Sequence, residues 1–236
     1  MSQRTTPLIL VPGLLCDPAL WRHQSAHLTD IADCQIVDVT GRDRIEDMAA
    51  DILASAPEQF ALAGLSMGGY VALDILRQAP ERVLKLALLD THARADSPEQ
   101  SAQREKLIAL AQDEGLDNVM PLLLPRMIHP ARLDDSVLVN ELQAMAARVG
   151  PQAFVRQQQA IMHRRDYRES LADIYCPTVV IGGRDDVIAP LDRMAEMAAG
   201  VRNGRLAIIE DCGHMATMEQ PQAATALLRD WLVYQQ

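Results

Sequence analysis

Gly64-Leu65-Ser66-Met67-Gly68-Gly69 follows directly on the apolar run Phe60-Ala61-Leu62-Ala63 and leads into Tyr70-Val71-Ala72-Leu73-Asp74-Ile75-Leu76-Arg77. The pattern G-x-S-x-G between an apolar strand and a helix-compatible run demands a sharp strand-to-helix turn. Small residues two before and two after Ser66 let that turn close without side-chain clashes, and the hydroxyl is left standing above the sheet edge. Gly69 adds room for close packing behind it. A serine held this way is a candidate nucleophile that needs a neighbouring base.

The same rhythm extends on both sides of this turn. Leu8–Val11 reads as a strand buried on both faces and Cys34–Val39 as a second. Between Arg44 and Ser55, Ile45, Met48, Ala49 and Ile52 fall at helical spacing. Gln59–Ala63 feeds Ser66, Tyr70–Gln78 follows as a helix closed by Ala79-Pro80, and Val83–Leu89 is a further apolar strand. Strands alternating with helices imply parallel pairing through right-handed crossovers. The rhythm resumes late in the chain, with strands at Thr178–Gly182 and Leu206–Ile209 and helices at Leu191–Ala199 and Pro221–Val233. The fold class is therefore α/β: a three-layer α/β/α sandwich on a mostly or wholly parallel sheet of about six strands.

From about residue 93 to residue 168 no convincing strand can be read. Ser101–Gln112 and Ser136–Val149 have helical patterns, and Gly150-Pro151 opens another helix, with proline at its first position. Met120-Pro121-Leu122-Leu123-Leu124-Pro125 is too proline-rich to be expected as part of a long helix. A helical insertion interrupting a sheet is most simply a lid over a pocket. The expected organisation is a core of residues 1–92 and 169–236 with a lid over residues 93–168.

A serine nucleophile requires a base, and the base an orienting carboxylate. Gly182-Gly183-Arg184-Asp185-Asp186 follows a strand and precedes a helix, which puts a carboxylate at the same sheet edge as Ser66. Asp186 is the preferred acid, with Asp185 and, less favoured, Asp90 at the end of the preceding strand as alternatives. Glu210-Asp211-Cys212-Gly213-His214 follows the last strand. His214 is the preferred base over His23, His27, His92, His129 and His163, because the chain order Ser66, Asp186, His214 suits a strand-to-helix nucleophile turn. Oxyanion donors are expected from the Met67 N–H and from the loop Val11-Pro12-Gly13-Leu14-Leu15, where Leu14 is preferred and Leu15 is the alternative.

These motifs resemble the α/β-hydrolase family, in its lid-bearing branch. The resemblance rests on Gly64–Gly69, on Gly183-Arg184-Asp185-Asp186 with Pro190 four residues on, and on Cys212-Gly213-His214, with a weaker match from Arg165-Asp166 to Pro177. It covers nearly the whole chain outside the lid. It implies Ser66 as nucleophile, His214 as base, Asp186 as acid and an oxyanion hole near Leu14 and Met67. Two features depart from the family. The first loop carries Pro12-Gly13 where many members have His-Gly, and the first strand matches an inner strand of the family sheet, so a shortened sheet is expected.

Composition narrows the function further. The 236 residues are 49% hydrophobic, enough for a sizeable core, and the net charge of −10 argues against nucleic acid or an anionic membrane surface as a partner. Pro7–Leu15 is apolar but too short and broken for a membrane span and is followed by no small-residue cleavage site, so a cytoplasmic location is expected. Cys16, Cys34, Cys176 and Cys212 show no metal-ligand spacing and are expected to be free thiols; no metal or cofactor is called for. The expected activity is hydrolysis of a small carboxylic ester or related acyl compound through an acyl-enzyme. Carbon–carbon bond hydrolysis or lactone hydrolysis on the same three groups is an alternative, and so is a ligand sensor that keeps the fold. Serine in the nucleophile position argues against haloalkane dehalogenation. Substrate identity and oligomeric state are not legible.

Overall fold

Side chains alternate between the two faces of a strand, so a strand buried on both sides needs apolar residues in unbroken runs. The chain meets this condition along β3 (Phe60–Leu65) and β5 (Thr178–Gly183), and over the carboxyl-terminal part of β1 (Thr6–Val11) and of β4 (Val83–Leu89); near the start of β4, Leu84 is exposed and Lys85 interrupts the apolar run. In the computed structural model, which describes residues 5–234, these four strands form the middle of a six-stranded sheet. Its edges are β2 (Ala32–Ile36) and β6 (Gly204–Ile209), and its order is β2-β1-β3-β4-β5-β6. Every neighbouring pair is parallel.

The alternation divides the core in two. Leu8, Leu10, Ala61, Ala63, Ala87, Leu89, Val179 and Ile181 share one cluster with Trp21 and Leu28, which flank α1 (Arg22–His27), and with Leu228 and Trp231 of α9 (Pro221–Tyr234). Ile9, Val11, Phe60, Leu62, Leu86, Leu88 and Val180 face the other way. They pack with α2 (Ile45–Ser55), α3 (Met67–Gln78) and α7 (Leu191–Gly200). The result is the expected three-layer sandwich. From β1 the chain crosses outward to β2, then returns across β1 to add β3 and the remaining strands in sequence. The direction of winding therefore reverses at β1 and β3, and a crevice opens there at the carboxyl ends of the strands, where open α/β sheets bind ligands.

Between β4 and β5 the chain is helical: α4 (Pro98–Glu114), α5 (Leu116–Met127) and α6 (Ser136–Met162). α4 starts on a capping box in which the Ser97 hydroxyl and the Gln100 side chain satisfy each other's backbone N–H. α6 bends at Gly150, whose φ of 82° lies in the left-handed region, just before Pro151. The stretch too proline-rich to be expected in a long helix lies in α5, a helix of 12 residues. Both Pro121 and Pro125 lie within α5, on its exposed side, while Leu116, Val119, Met120, Leu124 and Met127 form a buried stripe. Burial of that stripe outweighs the backbone hydrogen bonds the two prolines forfeit. Two shorter elements had no clear sequence signal: α1 and α8 (Ala216–Glu219), the latter directly after His214.

Candidate active site

Backbone strain is concentrated at the carboxyl edge of the sheet. Among the described residues, the non-glycine residues with positive φ are Leu15, Ser66, Asp90 and Asp211, which follow β1, β3, β4 and β6 respectively. Ser66 takes φ 55° and ψ −116°, a conformation that costs on the order of 1–3 kcal/mol and persists only where its surroundings enforce it. They do so here. A Cβ on Gly64 would lie 2.2 Å from the Gly68 carbonyl oxygen, and a Cβ on Gly68 would lie 2.2 Å from that of Val11. The elbow is clamped between β1 and the start of α3. The Ser66 N–H donates to the Leu89 carbonyl and the Thr91 hydroxyl donates to the Ser66 carbonyl, at 2.9 and 2.8 Å.

The structure brings Ser66, His214 and Asp186 together. His214 Nε2 lies 2.8 Å from Ser66 Oγ, and His214 Nδ1 lies 2.7 Å from Asp186 Oδ2. The other Asp186 oxygen accepts the N–H groups of Ile188 and Ala189 at 2.8 and 2.9 Å. Burial works against the charge on Asp186, but His214 and the backbone donors outweigh it and hold the carboxyl below its ordinary range. An ionised Asp186 can only accept, so the His214 proton sits on Nδ1 and leaves Nε2 free to accept from the Ser66 hydroxyl.

The alternative acids are placed elsewhere. Asp185 turns outward, with Oδ2 3.6 Å from His129 Nε2. Asp90 is buried and its oxygens accept the N–H groups of Gly183 and Ala216, each at 3.0 Å. It thereby ties the loop that carries Asp186 to the loop that carries His214. Burial, reinforced by the charge of Asp186, raises the Asp90 carboxyl well above its ordinary value.

Of the two candidate donors in the first loop, Leu15 is engaged: its N–H donates to Gln157 Oε1 at 3.0 Å. Leu14 lines the same cavity as Ser66. Met67 opens α3, so its N–H has no acceptor within the helix.

Two supporting residues escaped the sequence reading. Gln157, fully buried on α6, accepts from Leu15 and donates to the Val39 carbonyl. Glu219, buried at the end of α8, accepts from the N–H groups of Gly213 and Met215 through one oxygen and from that of His129 through the other. It therefore grips the backbone on both sides of His214, whose own N–H donates to the Met127 carbonyl of α5. A polar residue inside an apolar helical stripe is the only signal either position offered.

Ser66 and His214 open onto a cavity of about 160 Å³ that is also lined by residues of α4, α5 and α6 such as Leu107, Leu123 and Ile161. Cys16 lines it too, and burial, then the charge of Asp17, pushes its thiol up to about 12. Among the described residues no group of three His, Cys, Asp or Glu side chains could hold a metal ion, and no helix is long and apolar enough to cross a membrane.

Comparison with known proteins places this geometry in context. The model of the alpha/beta hydrolase family matches residues 8–227. A thermophilic esterase from Thermogutta terrifontis has a TM-score of 0.89 at 28% identity, over 98% of this chain and 90% of that one. The enol-lactonase from Burkholderia xenovorans LB400 has a TM-score of 0.89 over 98% and 92% of the two chains; at 23% identity this is a likeness of fold. A 2-hydroxy-6-oxononadienedioate/2-hydroxy-6-oxononatrienedioate hydrolase from Cupriavidus pinatubonensis is 29% identical over 180 residues, 74% of this chain and 62% of that relative. The match thus spans less than two thirds of that relative's length.

Proposed function

The chain belongs to the α/β hydrolase family, and from that footing we propose that it hydrolyses a small carboxylic ester or related acyl compound by nucleophilic catalysis at Ser66, with His214 as base and Asp186 as acid. One observation carries this reading: the His214 ring bridges Ser66 Oγ at 2.8 Å and Asp186 Oδ2 at 2.7 Å.

The chemistry follows from the positions of the protons. Ser66 Oγ attacks the substrate carbonyl as its proton passes to His214 Nε2, and Asp186 stabilises the imidazolium that forms. The carbonyl oxygen gains negative charge and is met by the N–H groups of Met67 and Leu14; losing one such donor costs about 10²–10³ in turnover. His214 then protonates the leaving group as the carbon–oxygen bond breaks. Water attacks the resulting acyl-serine, giving its proton to His214 and releasing the acid. Residues 93–168 act as a lid over the cavity that encloses the acyl group beside Ser66. The free thiols Cys16, Cys34, Cys176 and Cys212 agree with a cytoplasmic setting.

Cleavage of a lactone or of a carbon–carbon bond would use the same line of groups. The discriminating experiment is steady-state turnover on a panel of short nitrophenyl esters, lactones and dienoic ketones. Sustained ester hydrolysis supports the proposal. Labelling of the protein by a fluorophosphonate with no turnover of any substrate would point to a ligand sensor.

A further inference from the structure

The chain carries a net charge of −10, yet the cavity beside Ser66 is lined by Arg104 and Arg126 and by no Asp or Glu. The carboxylate that pairs with Arg104 is already shared. Asp96, whose side chain is fully enclosed, accepts from Arg104 Nε at 2.7 Å and pairs with Arg164 through its other oxygen. Neither arginine pairs with any other carboxylate among the described residues, so two guanidinium groups face one carboxylate and a positive charge is left over. Arg126, at the exposed rim, has no ion pair among the described residues.

The hydrogen-bonding pattern has the same sense. Arg104 Nη1 donates to Gln158 Oε1 at 2.8 Å, which fixes the amide with its NH₂ as the free end. Gln158 is fully buried and lines the cavity, and its Nε2 has no acceptor. Arg164, stacked on the Tyr70 ring at 4.3 Å, likewise has a buried Nη2 without an acceptor. His92 Nδ1 accepts the Arg94 N–H, so the proton of the neutral ring is on Nε2. Burial, then the charge of Arg164, lowers its pKa to about 4 and keeps it neutral. The Nε2 proton of His92 faces the Tyr70 hydroxyl at 3.5 Å, so the unanswered groups are the Gln158 NH₂, the buried Arg164 Nη2 and the surplus positive charge, an arrangement that is costly when empty and favourable around an anionic acceptor group.

We propose that Arg104 and Gln158 form a carboxylate-recognition subsite, and that the preferred substrate carries a free carboxylate in addition to the carbonyl attacked by Ser66. This rests on the hydrolytic reading above and narrows it. A neutral alkyl chain would leave the Gln158 amide and the surplus charge unanswered, and an ammonium group would be repelled.

The test compares nitrophenyl hemiesters of adipate, pimelate and suberate with the same compounds capped as methyl esters. The wild-type protein is expected to favour a hemiester over its capped partner by roughly ten- to a hundredfold in kcat/KM for at least one chain length. Arg104→Gln and Gln158→Leu are each expected to lower that ratio, and Arg104→Lys to retain part of it. The wild-type comparison needs no variant to fold, and inhibition by free dicarboxylate, competitive with a neutral ester, is a second reading of it. Equal turnover of charged and capped esters by the wild type, or a ratio untouched by Arg104→Gln, overturns the subsite and leaves the role of Ser66 standing. Failure to hydrolyse either set, together with no labelling by a fluorophosphonate, overturns the hydrolytic reading and the subsite with it.

Discussion

The backbone N–H of Leu15 donates to the side-chain oxygen of Gln157 at 3.0 Å, a bond that spans 142 positions of sequence and ties the loop after β1 to α6. It fixes the peptide beside Leu14 and so orients the N–H proposed to meet the oxyanion. Replacing Gln157 with leucine leaves the Leu15 N–H and the Val39 carbonyl buried without partners. Denaturant unfolding should show a loss of about 1–3 kcal/mol. Ester turnover should fall through kcat more than through KM, because the donor acts mainly in the transition state.

Glu219 and Asp90 are expected to behave as positioning residues for His214 and Asp186. Glu219→Gln keeps the volume but places an NH₂ where two backbone donors converge, and Asp90→Ala removes the acceptor that joins Gly183 to Ala216. Both should lower kcat and thermal stability together. Asp186→Asn should lower kcat by about 10⁴ through the wrong histidine tautomer. A Glu219→Gln enzyme with wild-type kcat and melting temperature would refute its part in this.

The depressed carboxyl of Asp186 has a defined signature in acid. Its folded value lies below its unfolded one, so its contribution to stability is complete above the ordinary carboxylate value of about 4 and is lost as pH falls through the lower folded value. The difference in melting temperature between wild type and Asp186→Asn should therefore be largest near neutrality and shrink below about pH 4. Asp90, raised in the fold, runs oppositely: its protonated form is the one the fold favours, so its contribution weakens as pH rises past the unfolded value.

Cys16 shares the cavity with Ser66 but should be chemically silent. With its thiol pushed up to about 12, it is held in the unreactive protonated form near pH 8. Treatment with iodoacetamide at about pH 8 should leave ester turnover unchanged. Peptide mapping should find adducts first at the half-buried Cys34 and Cys176. Rapid inactivation with Cys16 alkylated would contradict this placement.

How much of this could be read in advance depended on whether the determining physics was local. The elbow at Ser66 was legible because its G-x-S-x-G pattern is local: Gly64 is demanded by Gly68 four residues on, although Gly68 itself answers to the Val11 carbonyl of β1. Asp186 and His214 could be singled out because each follows a strand and so reaches the same sheet edge. Asp186 was preferred over Asp185, but what seats it, the loop closing on the Ile188 and Ala189 N–H groups, is reported by no spacing rule. That α5 forms was not legible from its prolines, because proline propensity acts within the helix, whereas the burial of Met120, Leu124 and Met127 that overrides it comes from the rest of the fold. Gln157 and Glu219 bond to backbone groups on distant or differently packed segments, and no spacing rule reports such bonds.

The hydroxyl of Ser66 is the point on which the account turns, and covalent trapping interrogates it directly. After reaction with a fluorophosphonate, digestion and mass spectrometry should place a single adduct on the peptide containing Ser66. Ser66→Ala should be neither labelled nor active, and His214→Ala should react far more slowly. An adduct on another residue, or near-normal ester hydrolysis by Ser66→Ala, would contradict it.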